Sequence, residues 1–493
     1  MSTLKKLASQ TAVYGLSQIV GRFVNYLLVP LHTALFTTST YGVNSLLYSY
    51  VTFFNVLLTY GMETAFFRFS QKSENPQDVY RTALSSLIGT SVLFVVLFTL
   101  FSQPIANAIQ IPNHPEYVIY FTFIIALDAI SALPFAYLRQ QNKALKFAVI
   151  KNINIFTNIL LNLYFLLLCP WVKQEYQVLL PFFSGEVNVG YIFMANLGAS
   201  IITLPLLFTE ILAIRNASFN KIMWKQMLRY GLPLMVVGFA GMINEALDRI
   251  IISYSYSDTQ KGLEATGIYG ANYKLSILMS LFIQAFRYAA EPFFFNQANV
   301  DDKRTIYAQV MNYFVLVCLG LFLIVMLYID VFKHFIHQNY WEGLHIVPIL
   351  LIANLFLGIY FNLSIWYKLS DQTNKGAIIS IVGAIITIVA NIILVPIMGY
   401  TGSAWATLIC YIAMVVICYV VGAIYFPIPY QVFRILCYIA LALAIYFGAT
   451  HTQPLLLHYS LSVKYSVYAA CILCFLMAGL FFERKNNIVH SPN

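Results

Sequence analysis

Apolar residues in this chain occur in runs of about twenty, and short polar segments separate the runs. An α-helix needs about 20 consecutive apolar residues to cross a hydrocarbon core of roughly 30 Å, so each run predicts a membrane-spanning helix. The pattern predicts fourteen spans, at residues 11–36, 41–65, 83–102, 117–137, 147–169, 190–212, 231–254, 266–293, 306–328, 344–366, 377–396, 402–423, 434–449 and 463–482.

The second and eighth spans share a pattern of residues at one constant spacing. The matching residues are Tyr41, Gly42, Asn44, Glu63, Phe66 and Phe67 on the second span, and Tyr269, Gly270, Asn272, Glu291, Phe294 and Phe295 on the eighth. A repeat of six helices preserves direction across the membrane, so the halves are parallel repeats about an axis along the membrane normal. We therefore predict an all-α polytopic fold with a six-helix lobe at residues 1–214, a second at residues 215–425, and two further helices with a cytoplasmic tail at residues 426–493.

Lys and Arg fall mostly on one side of these spans. With the N-terminus inside, the inner segments hold about five times as many Lys and Arg residues as the outer loops. Basic residues in short loops stay on the cytoplasmic side, so both termini are predicted to be cytoplasmic. Lys5 and Lys6 precede a long polar-striped span rather than a short apolar region with a cleavage site, so the first helix is expected to remain attached.

Composition excludes a soluble fold. Hydrophobic residues make up 60% of the chain and charged residues only 10%, whereas soluble domains carry about 25% charged residues. The net charge of +9 comes from short loops beside apolar spans, which argues against a nucleic-acid partner. The seven cysteines lie in or beside apolar runs, and the pair Cys471 and Cys474 lacks second ligands, so neither a metal site nor a cofactor is predicted.

Charged residues inside spans are concentrated on four helices. An ionised side chain at the bilayer centre costs roughly 2.5–3.5 kcal/mol on insertion scales, so each one requires an explanation. These residues are Arg22 on span one, Glu63 on span two with Arg68 at its end, Glu245, Asp248 and Arg249 on span seven, and Lys274, Arg287 and Glu291 on span eight; Asp128 on span four and Glu210 on span six lie elsewhere. The four helices lead the two repeats, which predicts a central cavity between the halves.

The first span carries a polar face. Gln18, Arg22, Asn25 and His32 follow steps of three and four residues, which place them on one side of a helix. Arg22 is deep in the span and has no acid at pairing distance on its own helix, so we favour a cavity role for it. For His32, a hydrogen-bonded or interfacial role is the expectation.

The charged residues of the seventh and eighth spans could either line the cavity for cargo or neutralise one another as structural pairs. Glu245 and Arg249 are four residues apart, as are Arg287 and Glu291, so each pair could be a neutral structural pair. Asp248 could likewise neutralise Arg249 or a nearby lysine without any cargo.

The acids also suggest ion coupling. Glu245 and Asp248 are three residues apart in a poorly hydrated region, where one carboxyl group could take up a proton during transport. Together with Glu63 and Asp128, they are the candidate ion-coupling or cavity acids.

Four extended stretches of the sequence carry a family resemblance. They are YGLSQIVGRFVNYLLVPLHTALFTTSTYGVNSLLYSYVTFFNVLLTYGMETAFFRF, RYGLPLMVVGFAGMINEALDRIIISY, GIYGANYKLSILMSLFIQAFRYAAEPFFF and MGYTGSAWATLICY. These stretches resemble bacterial polysaccharide-biosynthesis flippases of the Wzx type, which belong to the superfamily that also contains MATE multidrug exporters and lipid II flippases.

The resemblance implies a twelve-helix, two-lobed core with two extra helices and an alternating-access mechanism. It implies that a polyprenyl diphosphate-linked oligosaccharide is flipped from the cytoplasmic to the outer leaflet of the bacterial inner membrane, for O-antigen, capsule or exopolysaccharide synthesis. Arg22, Arg249 and Lys274 would then meet the diphosphate, with Gln18 and Asn25 beside them. The chain departs from the family pattern at Ala34, where many relatives carry Arg after the VPL segment.

Other functions remain as alternatives. A MATE-like exporter of cationic drugs would use the cavity acids, whereas the nearby basic residues would repel a cation. A lipid II flippase is also consistent with the pattern. A polysaccharide polymerase or glycosyltransferase fits less well, because the longest outer loop, residues 170–189, offers only Glu175 and Glu186, and we predict that the protein is not an enzyme. Protons or sodium ions as coupling ions, and polymerase machinery as a partner, stay open.

Overall fold

The computed structural model describes residues 19–212, 219–296, 303–370, 372–456 and 460–489, and most of these residues are helical. In this part of the chain nine helices are long and apolar enough to cross a membrane, and three shorter apolar helices accompany them. The more polar helical segments Thr38–Thr59 and Lys221–Tyr254 bring the number of spanning segments to fourteen. The predicted all-helical membrane fold is confirmed.

Clustering of contacts divides the chain into two compact units, Met1–Gly267 and Ile268–Asn493. The helices of the first unit are α1 (Ile19–Leu35), α2 (Thr38–Thr59, continued by Met62–Ser70), α3 (Pro76–Leu100), α4 (Pro115–Gln140), α5 (Ala144–Tyr176), α6 (Gly190–Leu206) and α7 (Lys221–Tyr254). The segment α8 (Thr259–Leu275, then Ile277–Asn296) begins in the first unit and ends in the second. The second unit continues with α9 (Lys303–Leu327), α10 (Val347–Leu363), α11 (Thr373–Met398), α12 (Tyr400–Tyr425), α13 (Val432–Leu456) and α14 (Leu461–Val489).

Local sequence explains where several helices begin. Pro76 and Pro115 open α3 and α4, because proline has a helical φ and needs no amide partner in the first turn. The carboxamide oxygen of Asn220 accepts hydrogen bonds from the N–H groups of Ile222 and Met223 and so caps α7. As a result α7 begins ten residues before the predicted span at 231–254 and is 34 residues long.

The helix α2 is interrupted where it crosses α7. Tyr60 and Gly61 have φ values of +31° and +72°, and a new helix begins at Met62. A Cβ atom on Gly61 would lie 2.5 Å from the carbonyl oxygen of Gly231, and one on Gly231 would lie 2.7 Å from that of Tyr60. Only glycine permits this contact between two backbones.

The other end of α2 makes a second close backbone contact, with the first part of α8. A Cβ atom on Gly42 would lie 1.8 Å from the carbonyl oxygen of Leu263. On the facing helix, a Cβ atom on Gly267 would lie 1.9 Å from the carbonyl oxygen of Thr38. Small residues at a membrane helix crossing allow this approach. Within the first unit, α2 is therefore held by backbone contacts near both of its ends.

The helix α5 has an exposed apolar face and contains a wide turn. Five large side chains along one face are exposed, and they are Ile153, Phe156, Leu160, Leu163 and Leu167. Their spacing of three and four residues marks the lipid-facing side of the helix. A π-helical turn follows at Tyr164–Leu168, before the helix resumes at Cys169.

In the second unit, α14 is attached to neighbouring helices near both of its ends. At one end the buried Glu483 accepts hydrogen bonds from Arg434, Tyr438 and Asn312, at 3.2, 2.7 and 3.2 Å. At the other end Lys464 donates to Asp330 at 2.7 Å. Polar contacts thus join α13 and α14, the pair beyond the predicted twelve-helix core, to α9 and to the short helix Ile329–Phe332 that follows it.

Candidate functional site

The polar face of α1 is accessible at two of its predicted residues. Arg22 and Asn25 are one helical turn apart, and both side chains are exposed. In the described part of the chain no carboxylate forms an ion pair with Arg22. Gln18 lies outside the described residues. The first unit therefore presents a guanidinium group and an amide one helical turn apart on a helix that is mostly apolar.

A row of amide side chains on α5 faces this part of α1. Asn158 donates a hydrogen bond to the Oδ1 atom of Asn25 at 3.1 Å. Asn162 donates to the Oδ1 atom of Asn158 at 3.2 Å, and its own Oδ1 atom lies 3.0 Å from Nε2 of His32. His32 is buried and hydrogen-bonded, as the sequence led us to expect. The two helices are joined by a continuous chain of polar side chains.

The amide row faces the interior of the protein. Residues 154, 158 and 162 repeat at a four-residue spacing, so they share one side of α5. That side is opposite to the exposed apolar face of the helix. Below Asn158, the amide of Asn154 donates to Thr203 on α6 at 2.9 Å. The row thus lines the contact of α5 with α1 and with α6.

Asp128 is exposed, although most residues around it on α4 are buried. Ser200 on α6 donates to its Oδ1 atom at 3.1 Å, and the charge of Lys151 on α5 acts on the same carboxylate. The ammonium group of Lys151 also lies 4.2 Å from the ring of Phe135. Asp128 therefore belongs to a polar cluster between α4, α5 and α6, in the same unit as Arg22.

Glu63 has a basic partner. It lies in the first turn of the second part of α2 and forms an ion pair with Arg139 on α4. The guanidinium of Arg139 also lies 5.2 Å from the ring of Phe67. This geometry gives Glu63 a structural partner within the first unit.

On α7, Arg249 pairs with the adjacent residue Asp248 rather than with the carboxylate of Glu245. Its Nη1 atom lies 2.9 Å from Oδ1 of Asp248 and donates to the main-chain carbonyl of Glu245 at 2.7 Å. Asp248 is buried and the side chain of Glu245 is exposed. The charge of Arg249 also acts on Tyr41 of α2, one of the residues of the internal repeat. This is the pairing of Asp248 with Arg249 that the sequence left open as an alternative to a cargo-binding role for Arg249.

Lys274 lies in the second unit. It is half-buried on α8, two residues before the break at Ser276. Nearby, the amide of Asn272 donates to the carbonyl oxygens of Ile268 and Tyr340, at 2.9 and 2.8 Å. The structure therefore groups Arg22, Asn25 and Asp128 with Glu63 and the α7 residues in one unit and places Lys274 in the other.

Several polar side chains at and around this site were not predicted from the sequence. Asn158 contacts Asn25, whereas Asn154, Lys151 and Arg139 lie around the site. The prediction rested on charged residues near span centres, and these four are either uncharged or close to span ends. The spacing of Asn154, Asn158 and Asn162 was a visible signal, since three amides on one face of an apolar span need partners. The identities of those partners depend on non-local packing, which one sequence does not show.

Across the described ranges, no group of three or more His, Cys, Asp or Glu side chains could hold a metal ion. Cys471 is partly exposed and Cys474 exposed on α14. The described side chains of the site offer hydrogen bonds and charge: a guanidinium and amides for an anion or a hydroxyl group, and carboxylates for a cation.

Comparison with solved structures identifies the fold. A structure described as lipid II flippase MurJ in an inward closed conformation matches with a TM-score of 0.72 and 15% sequence identity, covering 97% of this chain and 99% of that one. An inward-facing multidrug resistance MATE family transporter of the MOP superfamily matches with a TM-score of 0.61 and 14% identity, covering 86% and 94%. The eukaryotic MATE transporter AtDTX14 matches with a TM-score of 0.52 and 14% identity, covering 85% and 94%.

These matches, at identities of 13–15%, show that the chain has the fold of these solved MurJ and MATE structures. A profile of the family described as "Polysaccharide biosynthesis protein" matches residues 7–297 of the sequence. The chain belongs to this polysaccharide biosynthesis protein family. No sequence among the curated proteins matches it.

Proposed function

We propose that this protein flips a polyprenyl diphosphate-linked oligosaccharide from the cytoplasmic to the outer leaflet of the bacterial inner membrane, for polysaccharide synthesis. The observation that carries the proposal is the exposed Arg22 beside Asn25 on an apolar helix of a chain from the polysaccharide biosynthesis family. A cation that no described carboxylate neutralises is expensive in a membrane, unless it meets water or an anionic ligand. A diphosphate is such a ligand.

The repeat and the fold suggest how the cargo would move. Residues 1–214 and 215–425 would form two lobes that open alternately to the two sides of the membrane, with both termini in the cytoplasm. Arg22 would compensate the diphosphate in a region of low dielectric constant, where charge interactions are strong. Asn25 and Gln18 would add hydrogen bonds.

Export of cations is the competing function, and two paired acids argue against it. Glu63 pairs with Arg139, and Asp248 pairs with Arg249, so a cationic drug would have to displace an arginine at each. Asp128 and Glu245 remain as exposed acids. They support a role in coupling transport to protons or sodium ions, and we propose no catalytic step for the protein.

Transport into proteoliposomes tests the proposed function. Purified protein would be reconstituted with a labelled polyprenyl diphosphate oligosaccharide, and accessibility of the glycan on the far side would be measured over time. We expect transfer by the natural protein, a loss of at least tenfold in Arg22→Ala, and partial recovery in Arg22→Lys, because Lys keeps the charge without the bidentate geometry. Arg229→Ala, at an exposed position near the start of α7, is the matched control and should transport normally.

Two results would contradict the proposal. Absence of glycan transfer together with efflux of a cationic dye would assign the protein to drug export. Equal transport by Arg22→Ala and the natural protein would show that the cation of α1 does not meet the cargo.

A further inference from the structure

We infer that His32, Asn162 and Asn158 form a directed hydrogen-bond relay that turns the amide N–H₂ group of Asn25 outward beside Arg22, completing a site for phosphate oxygens. In this relay Asn25 contacts the ligand, while the other three are positioning residues. The identification of the ligand as the diphosphate of a lipid-linked sugar rests on the proposed function. The geometry of the relay does not.

The direction of the relay follows from what each atom can do. The Oδ1 atom of Asn162 can only accept, so Nε2 of His32 donates to it. The amide nitrogen of Asn162 then donates to Oδ1 of Asn158, and the amide nitrogen of Asn158 donates to Oδ1 of Asn25. Each carboxamide accepts at its oxygen and donates from its nitrogen. The last nitrogen in the row, that of Asn25, therefore has hydrogens left to donate.

Burial distinguishes the two ends of the relay. Asn162 is only 1% exposed and His32 only 8%, so hydrogen bonds within the protein fix their amide and ring atoms. Asn25 and Arg22 are exposed at the opposite end. Over the described residues no hydrogen-bond partner is found for the amide nitrogen of Asn25. The row of polar contacts therefore runs from a buried end to an amide donor at the surface, where a ligand can reach it.

The packing of α1 on α5 keeps the relay in place. Gly21 is buried, and a Cβ atom there would lie 2.3 Å from the Ile155 side chain, so the two helices approach closely just below Asn25. Between Asn25 and His32 the helix α1 is interrupted by a turn at Leu27 and Leu28, and α5 runs unbroken beside it. The relay therefore bridges the break and connects both parts of α1 to one face of α5.

The end of the relay suits an anion. Hydrogen bonds in a row polarise one another, so the last N–H group of a directed chain is a stronger donor than an isolated amide. Arg22, one turn away, supplies the positive charge. A donor amide and a guanidinium together match two oxygens of a phosphate group, whereas an amide oxygen turned outward would repel them.

Binding of a short isoprenyl diphosphate without sugar to the purified, full-length protein tests the relay. We expect Asn158→Leu to raise the dissociation constant three- to tenfold, because Asn25 would lose the bond that fixes its orientation. Asn25→Leu should have a similar effect, and the double variant should bind only slightly more weakly than either single variant. Asn154→Leu removes an amide from the same face of α5 but lies outside the relay, so its affinity should match that of the natural protein.

The double variant separates a positioning role from a structural one. If the losses in Asn25→Leu and Asn158→Leu multiply, or if Asn158→Leu lowers the melting temperature without changing the dissociation constant, the relay does not position Asn25 and the inference is wrong. Asn25→Asp should weaken binding more than Asn25→Leu, because it turns a donor into an acceptor. Equal affinity of Asn25→Asp and the natural protein would also overturn the inference.

The relay and the proposed function can fail separately. Isoprenyl diphosphate binding that depends on Asn158, in a protein that does not transfer the lipid-linked oligosaccharide, would support the relay and reject the proposed cargo. Glycan transfer that is normal in Asn158→Leu, with unchanged diphosphate affinity, would keep the proposed function and reject the relay.

Discussion

At the scale of single residues, the ion pair between Glu63 and Arg139 indicates a structural role for an acid inside a predicted span. Read from the sequence, Glu63 is a scarce acid in a span and a candidate for ion coupling. In the structure it joins α2 to α4, and the side chains of Arg139 and Glu63 are 32% and 40% exposed. Exposed pairs of this kind contribute roughly 0.2–1 kcal/mol, so the pair is expected to orient the helices more than to stabilise them.

Exchanging the two charges tests this interpretation. Glu63→Arg and Arg139→Glu should each lower the melting temperature of the purified protein, because each places two like charges together. The double variant should recover most of the loss, since the pair is restored in reverse. If Glu63 instead serves ion coupling, the double variant will regain stability but not ion-dependent transport.

Asp330, on the short helix Ile329–Phe332 that follows α9, makes contacts with two lysines that depend on pH. Hydrogen bonds from Lys464 and Lys333, at 2.7 and 2.9 Å, lower the pKa of its carboxyl group below the ordinary value. A carboxyl whose pKa is lower in the folded state stabilises the fold above its unfolded pKa of about 3.9 and loses that effect as the pH falls through the folded value. The contact should therefore persist through neutral and mildly acidic pH.

Thermal unfolding at different pH values checks the role of Asp330. Asp330→Asn should lower the melting temperature at pH 7, and the difference from the natural protein should shrink as the pH falls below about 4. Asp258→Asn is the control, because this exposed residue keeps its cap on the N–H of Gln260 with either side chain. A difference between Asp330→Asn and the natural protein that is independent of pH would contradict the explanation.

At the scale of elements, the contacts near the two ends of α2 explain why that helix carries glycines at chosen positions. Gly42 faces the main chain of Leu263, and Gly61 faces that of Gly231. An added methyl group at either position would meet backbone atoms, which cannot rotate away as a side chain can. These two crossings therefore depend on glycine, unlike the positions of Gly89 and Gly241, where nothing lies within 4 Å of an added Cβ atom.

Substitution of Gly42 tests the crossing with α8. Gly42→Ala should lower the melting temperature by several degrees, because α2 and α8 must separate to admit the methyl group. Gly241→Ala on α7 is the control: nothing lies within 4 Å of its added Cβ atom, and alanine is the better helix former by up to about 1 kcal/mol. Equal stability of the two variants would show that the crossing is looser than described.

Helices and sites differ in how far the sequence predicts them. The apolar runs predicted the fourteen spans because membrane helices must satisfy their own backbone within one segment. Their ends were less predictable: α7 extends ten residues further because Asn220 caps it, and α2 breaks at Tyr60, where a positive φ at a tyrosine has no sequence signature. Partners such as Arg139 for Glu63 required the packing of distant segments and could not be predicted from local spacing.

At the scale of the whole molecule, α13 and α14 belong to the second unit, where polar contacts attach them to α9. The carboxylate of Glu483 is 1% exposed and is held by Arg434, Tyr438 and Asn312, which come from α13 and α9. Removing one partner of a buried ion pair can cost about 3 kcal/mol or more, because a charge is left without compensation. This contact should control whether the two helices stay docked on α9.

Limited proteolysis of the segment before α13 tests this docking. Arg434→Ala should increase cleavage within residues 426–431 and lower the melting temperature, whereas Glu483→Gln should have a smaller effect because it keeps partners for Tyr438 and Asn312. Lys225→Ala, at an exposed position on α7, should behave as the natural protein does. Unchanged cleavage in Arg434→Ala would mean that apolar packing alone holds the pair.

The π-turn at Tyr164–Leu168 has a consequence for how this chain can change in length. A π-turn accommodates one residue more than an α-helical turn, so the extra residue is absorbed locally. Deleting a single residue there would leave a regular helix, with the amide face before the turn and the buried Cys169 after it still in phase. A one-residue deletion elsewhere in α5 would rotate everything beyond it by about 100°. Length variation among relatives of this helix should therefore accumulate at the π-turn.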